Sequence, residues 1–295
     1  MILARKLKLI VSDEQHKVLI ETLDQYKKCV DRVFEYGFQN HLISGSTLHK
    51  ATYYELRNEY PNLPSALVCC ARVKATEALK AIKKQTKNKW NTNCPKAGKF
   101  PAIRYNTTCC SIGKDTFAVA TIKNRIKLGI INNPFVKEDV KQFSTTCELF
   151  YRRGNWYLTV FVETHCEDLI PTKNILGIDR GIKNIAVCSN NQFFNSKKLK
   201  NVKGKYRYLR KKLQAKGTYS AKRLLKKLSG KENRFVKDTN HCISKQIVSL
   251  PFDTFVLEDL NIRTKKSNGR KFNTLLSGWS WFQLEQFITY KALLK

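Results

Sequence analysis

Two short apolar runs, Ile175-Leu176-Gly177-Ile178 and Phe255-Val256-Leu257, are each followed at once by a carboxylate, Asp179 and Glu258. Runs of that length and composition suit buried strands of an α/β sheet. A hydrophobic strand delivers its terminal acid to the sheet edge with little freedom. Two neighbouring strands can therefore hold two carboxylates a metal ion apart, and hard oxygen ligands so arranged select magnesium or manganese. Asp179 and Glu258 are accordingly the candidate catalytic and metal-ligating residues. The plainer alternative is a strand end that happens to carry an acid, with Asp179 paired to Arg180 or Lys183 at the surface. Buried strands seldom end in unpaired charge without reason, which favours the functional reading.

Gly177-Ile178-Asp179-Arg180-Gly181 alone is a weak pattern, because actin-like and chaperone ATPases place a similar Asp-x-Gly after their first strand. Small hydroxyl residues usually follow there to handle phosphates, whereas Ile182-Lys183-Asn184 follows here, which disfavours an ATPase.

The segment between the two acids points to a polyanion. Lys197 to Lys237 contains 17 Lys or Arg and one acid, Glu232, with Tyr206, Tyr208, Tyr219 and Phe235 interleaved. Such a stretch can grip phosphates and offer stacking faces to unpaired bases. Lys203, Lys205, Arg207, Arg210, Lys211, Lys222, Arg223, Lys226 and Lys227 are the candidate nucleic-acid-binding residues. A solvated helical hairpin with Leu209, Leu213, Leu224, Leu225 and Leu228 as its seam is compatible with that role, since one face can pack while the other binds. The whole chain agrees in charge: 55 Lys and Arg against 23 Asp and Glu leave +32 in 295 residues. Counterion release from nucleic acid is a stronger pull on such a protein than an anionic membrane surface.

Upstream, Arg5 to Val11 alternates like a strand with one wet side. Ser12-Asp13-Glu14-Gln15 reads as a capping box, and Leu19, Leu23, Tyr26, Val30 and Val33 follow at helical spacing. Further helices are expected over Thr47 to Tyr60, stopped by Pro61, and over Ser65 to Lys84. After the linker at Asn91 to Gly98 come strand candidates at Phe117–Ile122, Ile126–Ile130 and Cys147–Val162, the last with a hairpin signal at Arg153-Gly154-Asn155. The expected organisation is a β domain over 1–12 and 91–170, a helical bundle over 13–90 inserted in it, and an α/β domain over 171–295. Asp238 and His241, on a helix leading into the second acid strand, read as structural. The basic loop Asn261 to Lys271 is a candidate lid or substrate contact. Ten cysteines include no C-x-x-C pair, so they read as reduced packing thiols. No apolar run reaches 18 residues and no signal peptide opens the chain, so a cytoplasmic, nucleoid-associated protein without membrane contact is expected.

Asp179 within Gly-Ile-Asp-x-Gly-Ile-Lys-Asn, the basic hairpin, Asn240-His241-Cys242-Ile243-Ser244 and Val256-Leu257-Glu258-Asp259-Leu260-Asn261 resemble the TnpB/OrfB family of insertion sequences, relatives of the type V CRISPR effectors. The resemblance implies a ribonuclease-H-like RuvC domain, preceded by a β-barrel wedge domain that carries a helical insertion. It also implies an RNA-guided, magnesium-dependent DNA endonuclease, with a guide RNA encoded by the element and target DNA as partners. By motif, Asp179 and Glu258 would be the first two metal-ligating carboxylates. Family members continue into a zinc ribbon of two C-x-x-C pairs and a third catalytic Asp; neither motif occurs in this sequence. A copy impaired in cutting is therefore expected, with a non-cleaving nucleic-acid-binding remnant or repressor as the alternative.

Overall fold

The computed structural model describes residues 1–90, 92–94, 96–113, 115–131, 143–164, 173–260, 269, 273 and 278–295, which divide into two compact units, Met1–His165 and Cys166–Lys295.

The first unit opens with strand β1 (Ile2–Ile10) and three helices, α1 (Asp13–Gln39), α2 (Gly45–Glu59) and α3 (Ser65–Gln85). The expected capping box forms: the Ser12 side chain accepts from the Gln15 amide at 3.2 Å, and Gln15 Oε1 accepts from the Ser12 amide at 3.0 Å. Two of the orphan donors at the start of α1 are thereby satisfied. Leu19, Leu23, Tyr26, Val30 and Val33 form its buried stripe, as their spacing predicts. Strands β2 (Ile103–Asn106), β3 (Cys110–Ile112), β4 (Thr116–Ala120), β5 (Arg125–Ile130), β6 (Phe143–Arg152) and β7 (Asn155–Glu163) follow. The β6–β7 hairpin turns on Arg153 and Gly154, both at positive φ (53° and 79°), the left-handed pair that matches the twist of the flanking strands.

These strands form one seven-stranded antiparallel sheet in the order β2-β6-β7-β1-β5-β4-β3. β1 lies inside it, pairing β7 along Ile2–Lys8 and β5 at Leu9–Ile10. The helices therefore stand in sequence between two strands of the same sheet. The β-barrel implied by the resemblance is not closed among the described residues, because β2 and β3 are the sheet's two edges. Side chains meet there in place of a backbone ladder: Cys110 Sγ donates to the Asn106 carbonyl at 3.2 Å and lies 3.6 Å from Cys147 Sγ. Tyr105, fully buried on β2, donates its hydroxyl to the Ala120 carbonyl on β4 at 3.3 Å. No disulfide joins the described cysteines.

The second unit contains β8 (Ile175–Asp179), β9 (Asn184–Cys188), β10 (Phe193–Asn195), α4 (Lys197–Lys216), α5 (Tyr219–Leu228), α6 (Lys231–Val248), β11 (Thr254–Leu257) and α7 (Trp281–Ala292). Its sheet has the order β10-β9-β8-β11, with β8 parallel to β11 and antiparallel to β9. Leu176 and Ile178 share a core with Val236, Ile243 and Ile247 of α6 and with Leu284 and Ile288 of α7. That core fixes which face of β8 is buried, and thus where its terminal acid projects. The boundary residues Pro171 and Thr172 lie outside the described residues. Among the described residues no helix is long and apolar enough to cross a membrane.

Candidate metal-binding and nucleic-acid-binding sites

The parallel register of β8 and β11 runs from Thr254 opposite Ile175 to Leu257 opposite Ile178. Asn174 sets it at the start, because its carbonyl accepts from the amides of Asp253 and Thr254, both at 3.2 Å, and its side chain donates to the Pro251 carbonyl at 2.9 Å. One residue beyond the last paired position come Asp179 and Glu258. Adjacent strands stand about 4.8 Å apart, and residues at one register position of a parallel pair share a face. Both acids are exposed while Ile178 beneath Asp179 is buried. Asp179 and Glu258 thus follow directly on two paired strands, and both line one exposed cleft of about 450 Å³, together with Gly177, Ser189 and Val256 among others.

The turn that follows Asp179 explains the Asp-x-Gly pattern without phosphate chemistry. A Cβ on Gly181 would lie 3.1 Å from the Asn184 carbonyl, closer than nearly all real Cβ contacts. Ser196, also buried, donates to the carbonyls of Ile182 and Lys183 at 2.8 and 2.7 Å and closes the turn.

Arg180 does not make the surface pair with Asp179 that the plainer alternative supposed. It is buried, and its guanidinium pairs with Glu285 at 2.7 Å rather than with Asp179. Strand alternation is the cause: Asp179 faces solvent, so the next side chain turns inward. Alternation was the signal available in the sequence, but Glu285 lies 105 residues away and no local pattern names it. Among the described residues no group of three or more His, Cys, Asp or Glu could hold a metal ion.

The basic stretch folds into two helices. Gly217 ends α4 with a left-handed φ of 64°, and Thr218 caps α5 by accepting from the Ala221 amide at 3.3 Å. Lys205, Arg207, Lys211, Lys222, Arg223, Lys226 and Lys227 are all exposed. The other two candidates are engaged within the protein. Lys203 donates to the Gly278 carbonyl, and burial lowers its pKa. Arg210 forms an ion pair with Glu232. Tyr208 and Tyr219 are 63% and 78% exposed, whereas Phe235 packs against the core. The expected leucine seam holds in part: Leu209, Leu213, Leu225 and Leu228 are half-buried, but Leu224 is exposed. The loop from Asn261 to Lys271 lies outside the described residues except for Gly269.

On α6, Asn240 is buried and donates to Ser280 Oγ at 2.8 Å and Gln283 Oε1 at 3.0 Å, which fastens α6 to the start of α7. His241 stacks on Phe287 with ring centroids 3.8 Å apart. Partial burial, then the charges of Lys291 and Lys237, lower its pKa from 6.5. The unfolded chain therefore binds the extra proton more readily, so this contribution is complete above about pH 6.5 and is lost as pH falls through the folded value. Denaturant midpoints should rise from about pH 5 to 7, and His241→Gln should reduce that slope. An unchanged slope in the variant would show that other groups carry it.

Residues 159–268 match the OrfB_IS605 family model, described as a probable transposase. The TnpB-like protein MJ0751 of Methanocaldococcus jannaschii is 39% identical over 105 residues, a match that spans 32% of this chain and 37% of that relative. A chain in the cryo-EM structure of the Cas12f1-sgRNA-target DNA complex superposes with a TM-score of 0.68, over 95% of this chain and 71% of that chain. At 15% identity, that is a likeness of fold. The family match encloses both Asp179 and Glu258 and the whole basic hairpin between them, so it is this part of the chain, residues 159–268, that is similar to the OrfB_IS605 family.

Proposed function

We propose that this chain binds RNA and DNA as a member of a transposon-associated, RNA-guided nuclease family, with Asp179 and Glu258 as a magnesium- or manganese-binding pair in a RuvC-like, ribonuclease-H-type unit. The observation that carries the proposal is that Asp179 and Glu258 each follow directly on one of the paired strands β8 and β11 and line the same exposed cleft. The donor set fits the metal: two carboxylates, hard and anionic, with room on the open side for water and a phosphate oxygen. A bound ion would supply charge stabilisation at the phosphoryl group and an activated water. Asp179 and Glu258 would hold that ion, and the exposed cleft they line is open to a phosphate group.

The partners follow from charge and kinship. The exposed lysines and arginines of α4 and α5 present a phosphate-binding face, and Tyr208 and Tyr219 present rings for unpaired bases. The likeness to a protein solved with an sgRNA and target DNA supports RNA and DNA as the two partners here; on this proposal the RNA is a guide encoded by the element.

A second reading, binding without cutting, is favoured by one specific observation. A two-metal clamp needs further ligands, and Glu285, the acid that shares Arg180 with the Glu258 main chain, is held in an ion pair. The two readings separate in a nicking assay with guide RNA and magnesium. Cutting by the wild type and not by Asp179→Ala supports the nuclease, and equal cutting by both sinks the role of Asp179. Binding with no nicking under any divalent metal selects the second reading.

A further inference from the structure

We infer that Arg180 is the positioning residue of the carboxylate pair: its buried guanidinium fixes the main chain of Glu258 beside Asp179 and ties both strand ends to α7. This inference rests on the metal-binding reading of Asp179 and Glu258. The Arg180 side chain is 1% exposed. Its Nη2 donates to the Glu258 carbonyl at 2.5 Å, and its Nη1 donates to the Trp281 carbonyl at 3.1 Å and to Glu285 Oε2 at 2.7 Å.

Stability alone does not account for this arrangement. Burying a guanidinium costs hydration that an ion pair repays only with excellent geometry, and the partner Glu285 is 42% exposed. Helix electrostatics do not account for it either, because Trp281 opens α7 and a cation is disfavoured at a helix N-terminus. What the guanidinium supplies is a rigid planar fork that reaches carbonyls on two different elements at once.

The place of those bonds gives them their meaning. The paired register of β8 and β11 ends at Ile178 and Leu257, one residue short of the acids. Arg180 makes the next cross-strand connection, to Glu258 itself. Asp179 and Arg180 are consecutive, so the strand end that projects one carboxylate outward also carries the inward clamp on the main chain of the other. The main chain of Glu258 is thus held to the end of β8 from the buried side, by a group that would not itself be a metal ligand.

The test uses the full chain with Mn2+ alone, no nucleic acid, and reads free Mn2+ by electron paramagnetic resonance beside thermal unfolding by circular dichroism. Wild type is expected to bind Mn2+ more than about tenfold tighter than Asp179→Ala. Arg180→Met, measured well below its melting temperature, is expected to weaken binding by roughly 10- to 100-fold, as loss of ligand-orienting groups does elsewhere. Arg180→Lys keeps the charge but not the fork, and a loss of roughly three- to tenfold is expected. If Arg180→Met does not fold, Arg180→Lys decides by the same criterion. Equal Mn2+ binding by wild type and Asp179→Ala overturns the metal reading itself. Tighter binding by wild type than by Asp179→Ala, with the folded Arg180 variants matching wild type, overturns the positioning role alone. A lowered melting temperature with unchanged Mn2+ affinity marks a merely structural arginine and counts against the inference in the same way.

Discussion

Replacing Lys205, Arg207, Lys211, Lys222, Lys226 and Lys227 by alanine is expected to remove most of the salt dependence of nucleic-acid binding. Each neutralised phosphate contributes about 0.9 to the slope of log affinity against log salt on duplex DNA and about 0.7 on a single strand. Six contacts thus account for a slope near 5 on duplex and near 4 on single strands. Through those contacts the wild type should lose about 10³ in duplex affinity between about 50 and 200 mM salt, a loss the variant should not show. These six residues are exposed, whereas Lys203 and Arg210 are spent on internal partners and are not expected to change the slope. Tyr208→Ala and Tyr219→Ala should weaken single strands by about 1–3 kcal/mol each, with a smaller effect on duplex. An unchanged salt slope in the six-residue variant would remove the hairpin from the interface and send the search to other basic surfaces.

The second large effect is expected at the carboxylates. Glu258→Gln keeps the shape of the side chain and the backbone carbonyl that Arg180 holds, but removes the charge that a metal needs. If metal-bound chemistry supplies several kcal/mol of transition-state stabilisation, a loss of about 4 kcal/mol lowers cleavage about 10³-fold. Asp179→Asn should do the same, and the double variant should cost little more than either single one, since the acids act as a unit. Nucleic-acid affinity measured without divalent metal should stay within about threefold, because two charges are small against an excess of +32. Cleavage that survives both substitutions at the wild-type rate would assign it elsewhere in the protein or to a contaminant.

Much of the fold was legible because its signals are local. The Ser12–Gln15 capping box, the stripe from Leu19 to Val33 and the Arg153-Gly154 turn each act over a few residues, and each forms as its pattern predicts. The acid-ended strands were legible for the same reason, since an apolar run followed by Asp or Glu states both the strand and its end. Their pairing was not: the parallel alignment of residues 175–178 with residues 254–257 depends on Asn174 and on packing from α6 and α7. Arg180 shows the limit most plainly. Its neighbour in sequence is Asp179, yet its partners are Glu258, just past β11, and Trp281 and Glu285, on a helix about 100 residues further on. The open edges at β2 and β3 were equally beyond reach, because they depend on the strand order of the whole sheet, which no local pattern states. Among the basic residues, composition marked the stretch but not which members would turn inward, and burial removed Lys203 from the exposed set.

The most direct test of the metal-binding pair is a crystal of the full chain soaked in MnCl2 and measured for anomalous scattering. The expected result is an anomalous peak within about 2.0–2.5 Å of carboxylate oxygens of both Asp179 and Glu258. Ordered carboxylates with no peak between them, at Mn2+ concentrations that give peaks elsewhere on the molecule, would contradict it.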